Sequence, residues 1–386
     1  MTFSIVENKH KRRCEKLNYK IIAYIEAVVL IAAIVGFVVY GSYFTNQPII
    51  LSGAGATFPA PLIQKWSAEF KDMTRAQINY EGIGSGGGVK QFTDKTVDFG
   101  ASDPPMQDSE FSTASGTLHI PITIGGVVPI YNIQGISSGL NFSGQVLADI
   151  FSLNITRWND ARLSSYNPDT TLPDAEIVVC HRSDSSGTTK VFTSFLSDES
   201  ETWSSAYGAS NVINWPSQTI GGKGNPGVAA AVQQNQNSIG YVELSYALQS
   251  DIPYGNVQNA AGKFVEPSLE TLGAAASAVS LILPPGNASW ASVGSYFNLH
   301  EVQEPDNGYP ITSFSYVLIY QELNVRAGMT LDKAKALTWF LWWAIHDGQH
   351  FSSGLSYVPL PQSVVTHDEA TLRMIIFDGQ QVNNWT

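Results

Sequence analysis

The stretch "SDSSGTTKVF", Ser183 to Phe192, gathers Ser185, Ser186, Thr188 and Thr189 around one glycine, just before a helical pattern. A helix start needs only one side-chain oxygen for its free backbone N–H groups, so four hydroxyls exceed the need. The surplus predicts a helix end that faces a ligand, and the positive end of a helix dipole favours an anion. Arg182 adds a fixed positive charge beside it, and Asp184 stands two residues further on, placed to brace the guanidinium in its fork geometry.

Two upstream loops share this grammar: "GAGATFPAP", Gly53 to Pro61, and "GIGSGGGVKQF", Gly82 to Phe92. Each follows a strand-like run, offers small residues that admit a ligand close to backbone N–H groups, and leads into a helical pattern. Pro59 and Pro61 suit a first helical turn, where a missing N–H costs little. Short β-rich runs such as "AQINYEGI", "GGVVPIYNI" and "AEIVVCHR" alternate with longer helical patterns such as "APLIQKWSAEFKDM" and "TLDKAKALTWFLWWAI". The alternation predicts an α/β fold. In the last of these helices Trp339, Phe340, Trp342 and Trp343 read as core, with Gly348 expected to close the helix at C′.

Several motif matches carry less. Gly82, Gly84 and Gly87 satisfy G-x-G-x-x-G, a dinucleotide fingerprint that is weak when it stands alone. Asp98 to Gly100 spells D-F-G without a strand lysine or a catalytic loop beside it in the sequence. Ser186 has no G-x-S-x-G context, and His181 reads as a solvated histidine rather than its base. No His, Cys or Asp cluster has metal-ligand spacing, so no metal and no cofactor is expected.

The N-terminus carries Lys9, Lys11, Arg12, Arg13, Lys16 and Lys20, followed by the apolar run Ile21–Phe44. That run exceeds the roughly 20 residues a bilayer-spanning helix needs, and the positive-inside rule puts Met1 in the cytoplasm. The expectation is a cytoplasmic basic segment over 1–20 and a transmembrane anchor or uncleaved signal over 21–44, with the rest extracellular or periplasmic. The whole chain of 386 residues has a formal net charge of −12, and the part after Phe44 is more acidic still once the basic cluster is set aside. Such a surface argues against nucleic acid or an anionic membrane surface as a partner. Cys14 and Cys180 fall on opposite sides of the run, so no intrachain disulfide is expected. The triplets starting at Asn141, Asn154, Asn287 and Asn384 match the N-glycosylation pattern. The part after Phe44 exceeds the roughly 250–300 residues at which single cores stop growing, so two domains are expected.

In order and spacing, "GAGATFPAPLIQKW", "YEGIGSGGGVKQF", "VDFGASDPPM", "HRSDSSGTTKVFTSFL", "GGKGNPGVAAAVQ" and "SIGYVELSYA" resemble the phosphate-binding proteins of Pst-type ABC transporters. The resemblance spans nearly all of Leu51 to Val365. It implies a type II periplasmic-binding-protein fold, with two α/β lobes joined by crossings near Ile120 and Pro310. Lobe 1 would hold residues 45–120 and 310–386, and lobe 2 residues 121–309. It also implies phosphate contacts at Thr57, Phe58, Ser85, Asp103, Arg182, Ser186, Gly187 and Thr188, with Asp184 behind Arg182. Three positions depart from the family pattern: Gly86 stands where a second serine is common, Ser185 where glycine is common, and "SDPPM" where "SDAPL" is common.

The implied role is binding rather than catalysis: capture of inorganic phosphate outside the cell and delivery to an ABC permease driven by its ATPase. A phosphate-ester hydrolase on the same fold is the alternative, and it would need a metal or an activated nucleophile. The chemistry is coherent without the family. A phosphate dianion keeps about one proton, so its site needs many donors and one acceptor. Asp103 suits the acceptor, and as a buried carboxylate it would repel sulfate, which has no proton to offer it.

Overall fold

The loops that precede helices take their places from the strands that feed them. The computed structural model describes residues 48–278, 283–298 and 307–383. The strands run in chain order as β1 (Ile50–Gly55), β2 (Gln77–Gly82), β3 (Phe99–Ser102), β4 (Thr117–Asn132), β5 (Asn141–Phe142), β6 (Val178–Arg182), β7 (Ile220–Gly222), β8 (Ser238–Glu243), β9 (Asn256–Gln258), β10 (Phe264–Val265), β11 (Thr312–Tyr320), β12 (Ile376–Phe377) and β13 (Gln380–Gln381). Eight of them form one mixed sheet in the order β2-β1-β3-β11-β4-β8-β6-β7. At one end β1 is parallel to β2 and β3, and at the other β6 is parallel to β7 and β8. The antiparallel strands β11 and β4 join these two groups.

The long strand β4 explains how one sheet serves two halves. From Thr117 to Gly126 it pairs with β11, and from Val127 to Asn132 it pairs with β8. The partner changes at the Gly125–Gly126 pair, where the side chains of Phe58 and Leu272 fill the space that a Cβ would take. Beside this change the Ile311 carbonyl, just before β11, accepts the Val127 N–H at 2.9 Å. Pro121 would interrupt a regular ladder, and the register between β4 and β11 shifts there, opposite Ser315 and Tyr316.

The first half is packed by helix Ala60–Thr74 against helix Leu331–Ile345, through Trp66, Phe70, Phe340 and Trp343. Phe70 meets Phe340 edge-on at 5.4 Å between ring centroids. The second half is held by Phe151, Phe192 and Tyr241, with Phe192 and Tyr241 stacked at 4.4 Å. These aromatic contacts add to the burial of large apolar side chains.

Two sequence expectations fail in this core. Gly348 does not close the helix at C′: the helix ends at Ile345, His346 follows as its C-cap, and Gly348 lies in a 3₁₀ helix, Asp347–Phe351. Its carbonyl instead accepts the buried Trp66 indole N–H at 2.6 Å, a tertiary bond that holds this turn against the first helix. The aromatic stripe is also not uniformly core, since Phe340 and Trp343 are buried while Trp339 is 49% exposed.

Residues from Ile49 onward form one compact unit, distinct from Met1–Pro48. The basic segment 1–20, the apolar run 21–44, Cys14 and Asn384 lie outside the described residues. Among the described residues, no helix is long and apolar enough to cross a membrane. Cys180 is a buried free thiol whose pKa burial pushes up to about 12. Asn154 and Asn287 are exposed, whereas the Asn141 side chain is engaged with Tyr166 and Asn256.

Candidate functional site

Four helices begin at one buried cluster: Ala60–Thr74, Ser85–Thr93, Gly187–Glu199 and Gly224–Gln234. Each starts directly after a strand or its following turn, so the parallel strands β1, β2, β6 and β7 aim their helix N-termini at the same place. Thr57, Ser85, Asp103, Arg182, Ser186 and Thr188 are all buried there, and Phe58 and Gly187 are buried beside them. The positive ends of helix dipoles and unpaired N–H groups make such a convergence an anion site.

The four hydroxyls of the opening stretch have four different tasks. Ser186 caps helix Gly187–Glu199, its Oγ accepting the Thr189 N–H at 3.0 Å. Thr189 Oγ1 lies 2.6 Å from the Tyr241 hydroxyl and ties the helix to the core. Thr188 Oγ1 faces the cluster, 3.4 Å from Asp103 Oδ2. Ser185 crosses to the other half: its carbonyl accepts the Gly86 N–H at 3.1 Å, and its Oγ occupies the place that a Cβ on Gly86 would need. The departures at positions 86 and 185 therefore meet each other, and a serine at both would collide.

Arg182 is the cation of the cluster. Its Nε and Nη2 donate to Asp184 Oδ1 and Oδ2 at 2.8 and 2.6 Å, the bidentate fork that fixes guanidinium direction. Asp184 also accepts the Gly224 N–H at 3.0 Å. Burial raises the Asp184 carboxyl, but the Arg182 hydrogen bonds and charge outweigh it and hold the pKa below the usual value. The remaining Arg182 nitrogen, Nη1, is buried with no protein partner. A buried donor left unmatched carries a desolvation cost that an anion's oxygen would remove. Gly84, at φ +87, lets the chain pass Asp184, where an added Cβ would overlap Oδ2.

Asp103 follows β3 and is 1% exposed. Ser315 Oγ donates to its Oδ1 at 3.0 Å, while Ser85 Oγ and Thr188 Oγ1 approach Oδ2 at 3.4 Å. Burial pushes its pKa up to about 7, against the lowering influence of Ser315, Arg182, Ser85 and Thr188. This carboxyl therefore titrates near neutrality, and its ionised form is the one that accepts hydrogen bonds on both oxygens. Gly187 is the close approach: a Cβ there would lie 2.5 Å from Asp103 Oδ2 and would overlap Ser85 Oγ.

Sequence reasoning missed two members of the cluster. Ser315 comes from β11, far along the chain in a fully buried strand with no local signal. Asn225 donates from Nδ2 to Thr57 Oγ1 at 3.0 Å and to Thr188 Oγ1 at 3.2 Å, joining the two halves. The signal that could have found it is "GKGNPGV", a fourth glycine loop before a helix. His181 is not solvated as expected: its ring stacks on Trp215 at 4.8 Å, and Nδ1 lies 2.8 Å from the Arg182 carbonyl oxygen.

A family model described as a PBP superfamily domain matches residues 43–347. A phosphate-binding protein PstS of Xylella fastidiosa is 44% identical over 327 residues, covering 84% of this chain and 85% of that one. A phosphate-binding protein PstS of Methanocaldococcus jannaschii is 40% identical over 333 residues, covering 82% and 84%. Among solved structures, a high affinity periplasmic phosphate-binding protein bound with phosphate superposes with a TM-score of 0.67 at 22% identity, covering 84% of this chain and 93% of that one. A phosphate-binding protein of Stenotrophomonas maltophilia superposes at 0.61 and 20% identity, covering 85% and 94%. The structural likenesses establish the α/β periplasmic-binding-protein fold, and the sequence identities go further: the chain belongs to the PstS family of phosphate-binding proteins.

Proposed function

We propose that this protein binds inorganic phosphate in the buried cluster and delivers it to an ABC permease for import. The observation that carries the reading is the pairing of opposites in one buried site. Arg182 Nη1 and four helix N-termini supply donors, and Asp103 supplies one acceptor with a pKa raised to about 7. A monoprotonated phosphate satisfies both sides, donating its hydroxyl to Asp103 and accepting from the rest. Sulfate leaves the Asp103 carboxylate facing an anion with no proton between them, which costs it affinity. The PstS relatives, named for phosphate binding, support the same ligand.

The residues assigned to the ligand are Thr57, Phe58, Ser85, Asp103, Arg182, Ser186, Gly187 and Thr188, with Asp184 orienting Arg182. The type II architecture divides the chain into lobe 1, 45–120 and 310–386, and lobe 2, 121–309. Support comes from the partner change along β4 and from hydrogen bonds such as Asn225 to Thr57 that join the halves across the cluster. Since the cluster is buried, ligand entry requires the halves to part. A single-pass anchor over 21–44, following a cytoplasmic segment 1–20, would hold the lobes outside the membrane near the permease. The hydrolase alternative gains no observation in its favour: His181, adjacent to Arg182, is engaged with Trp215 and a backbone carbonyl rather than a hydroxyl.

Equilibrium dialysis of the protein against labelled phosphate, with a large excess of unlabelled sulfate, tests the reading. Retained label at one phosphate per chain is the expected result. Displacement by sulfate, or no retention, would overturn it.

A further inference from the structure

Asn225 is fully buried at the second position of helix Gly224–Gln234, and both ends of its side-chain amide are committed. Its backbone N–H donates to Thr57 Oγ1 at 3.1 Å, and its Nδ2 donates to Thr57 Oγ1 at 3.0 Å and Thr188 Oγ1 at 3.2 Å. Its Oδ1 accepts the Glu243 N–H at 3.1 Å. That last contact fixes which end of the amide is oxygen, because a backbone N–H can only donate. The NH₂ group is thereby locked toward the two threonines.

A hydroxyl has one hydrogen and two acceptor lone pairs. Thr57 Oγ1 receives two hydrogen bonds from Asn225, so both lone pairs are used and its hydrogen must point elsewhere. Thr188 Oγ1 receives one, and its hydrogen is turned to the side of the cluster that holds Asp103 Oδ2. Left to themselves, these rotors would be free to present lone pairs to an incoming anion, which an anion rejects.

We infer that Asn225 is a positioning and specificity-determining residue that forces the Thr57 and Thr188 hydroxyls to act as donors toward a bound oxyanion, and that does so only when the two halves of the sheet are together. Thr57 follows β1 and Asn225 follows β7, near opposite ends of the sheet order, so the bonds between them form on closure. The inference rests on the phosphate-binding reading above and adds a residue that touches no ligand itself.

The test is a double-mutant cycle read by phosphate affinity, with thermal unfolding to verify that each variant is folded. Asn225→Ala removes the side-chain donor from both hydroxyls, leaving Thr57 Oγ1 only the backbone N–H, and should weaken binding about 10–100-fold, and Thr57→Val should weaken it comparably. If Asn225 acts through the Thr57 hydroxyl, the combined variant is much less weakened than the product of the two single losses. Fully multiplicative losses, or parent affinity in Asn225→Ala, would overturn the inference while leaving phosphate binding by the parent intact. Absence of phosphate binding by the parent would overturn both readings. Should Asn225→Ala not fold, Asn225→Ser, whose hydroxyl cannot donate to both threonines at once, is expected to show the same coupling.

Discussion

Replacing Asp103 with asparagine separates what the carboxylate costs the empty protein from what it reads in the ligand. Its pKa rises from 3.8 to about 7 in the folded state, chiefly by burial. Each tenfold change in proton affinity corresponds to about 1.4 kcal/mol, so ionised Asp103 costs the folded, ligand-free protein up to about 4 kcal/mol. The sign follows from proton counting. Between the two pKa values the folded state holds more protons than the unfolded one, so stability falls as pH rises from about 4 to about 7, then levels off. The Asp103→Asn variant lacks this dependence, keeps an oxygen to accept from Ser315, and gains an NH₂ that can donate. Ligand-free Asp103→Asn should therefore exceed the parent in stability by about 4 kcal/mol at pH 8 and by about 1–2 kcal/mol at pH 5, from denaturant unfolding in phosphate-free buffer. In binding, the variant should lose phosphate-to-sulfate preference more than phosphate affinity, since phosphate loses one charge-assisted bond, about 1.5–3 kcal/mol. A stability difference that does not change with pH, together with an unchanged anion preference, would refute the reasoning.

Arg182→Ala strips the cation from Asp184 and Asp103 together, and at about 3–5 kcal/mol for a broken buried pair the phosphate affinity should drop by two to four decades in calorimetric titration. Gly187→Ala puts a methyl group against Ser85 Oγ and Asp103 Oδ2, so the variant should lose high-affinity binding while retaining most of the parent's secondary structure by circular dichroism. Trp66→Phe leaves the Gly348 carbonyl without its buried donor and should lower unfolding stability by about 1–3 kcal/mol without changing phosphate affinity. Protease applied to intact cells should digest the lobes and leave a small fragment containing Cys14; release of the whole chain by high salt would speak against an anchor, since hydrophobic insertion resists salt.

The parts of the site that the sequence displayed are local ones. Glycine and hydroxyl loops before helices advertise helix N-termini, and Arg182 with Asp184 two residues away advertises a braced guanidinium. What escaped is what depends on chain distant in sequence. Ser315 reaches Asp103 from a buried strand that also carries Thr312 and Ser313, and nothing near it separates it from any buried serine. Asn225 lies within a recognisable loop, but its work is a contact with Thr57 across the sheet. Gly348 looks like a helix stop because the tertiary bond from Trp66 that holds its carbonyl is invisible locally. In the fold, the α/β alternation was legible, whereas β4 appeared only in part, since Pro121 and the Gly125–Gly126 pair interrupt the pattern that its two successive partners restore.

A crystal structure of the protein grown with phosphate tests the central claim most directly. The account predicts one phosphate in the buried cluster, with an oxygen within about 3 Å of Arg182 Nη1, others receiving N–H and O–H bonds from the Ser85 and Gly187–Thr188 helix starts, and one facing Asp103. Phosphate bound elsewhere, with Arg182 Nη1 still unpartnered, would contradict it.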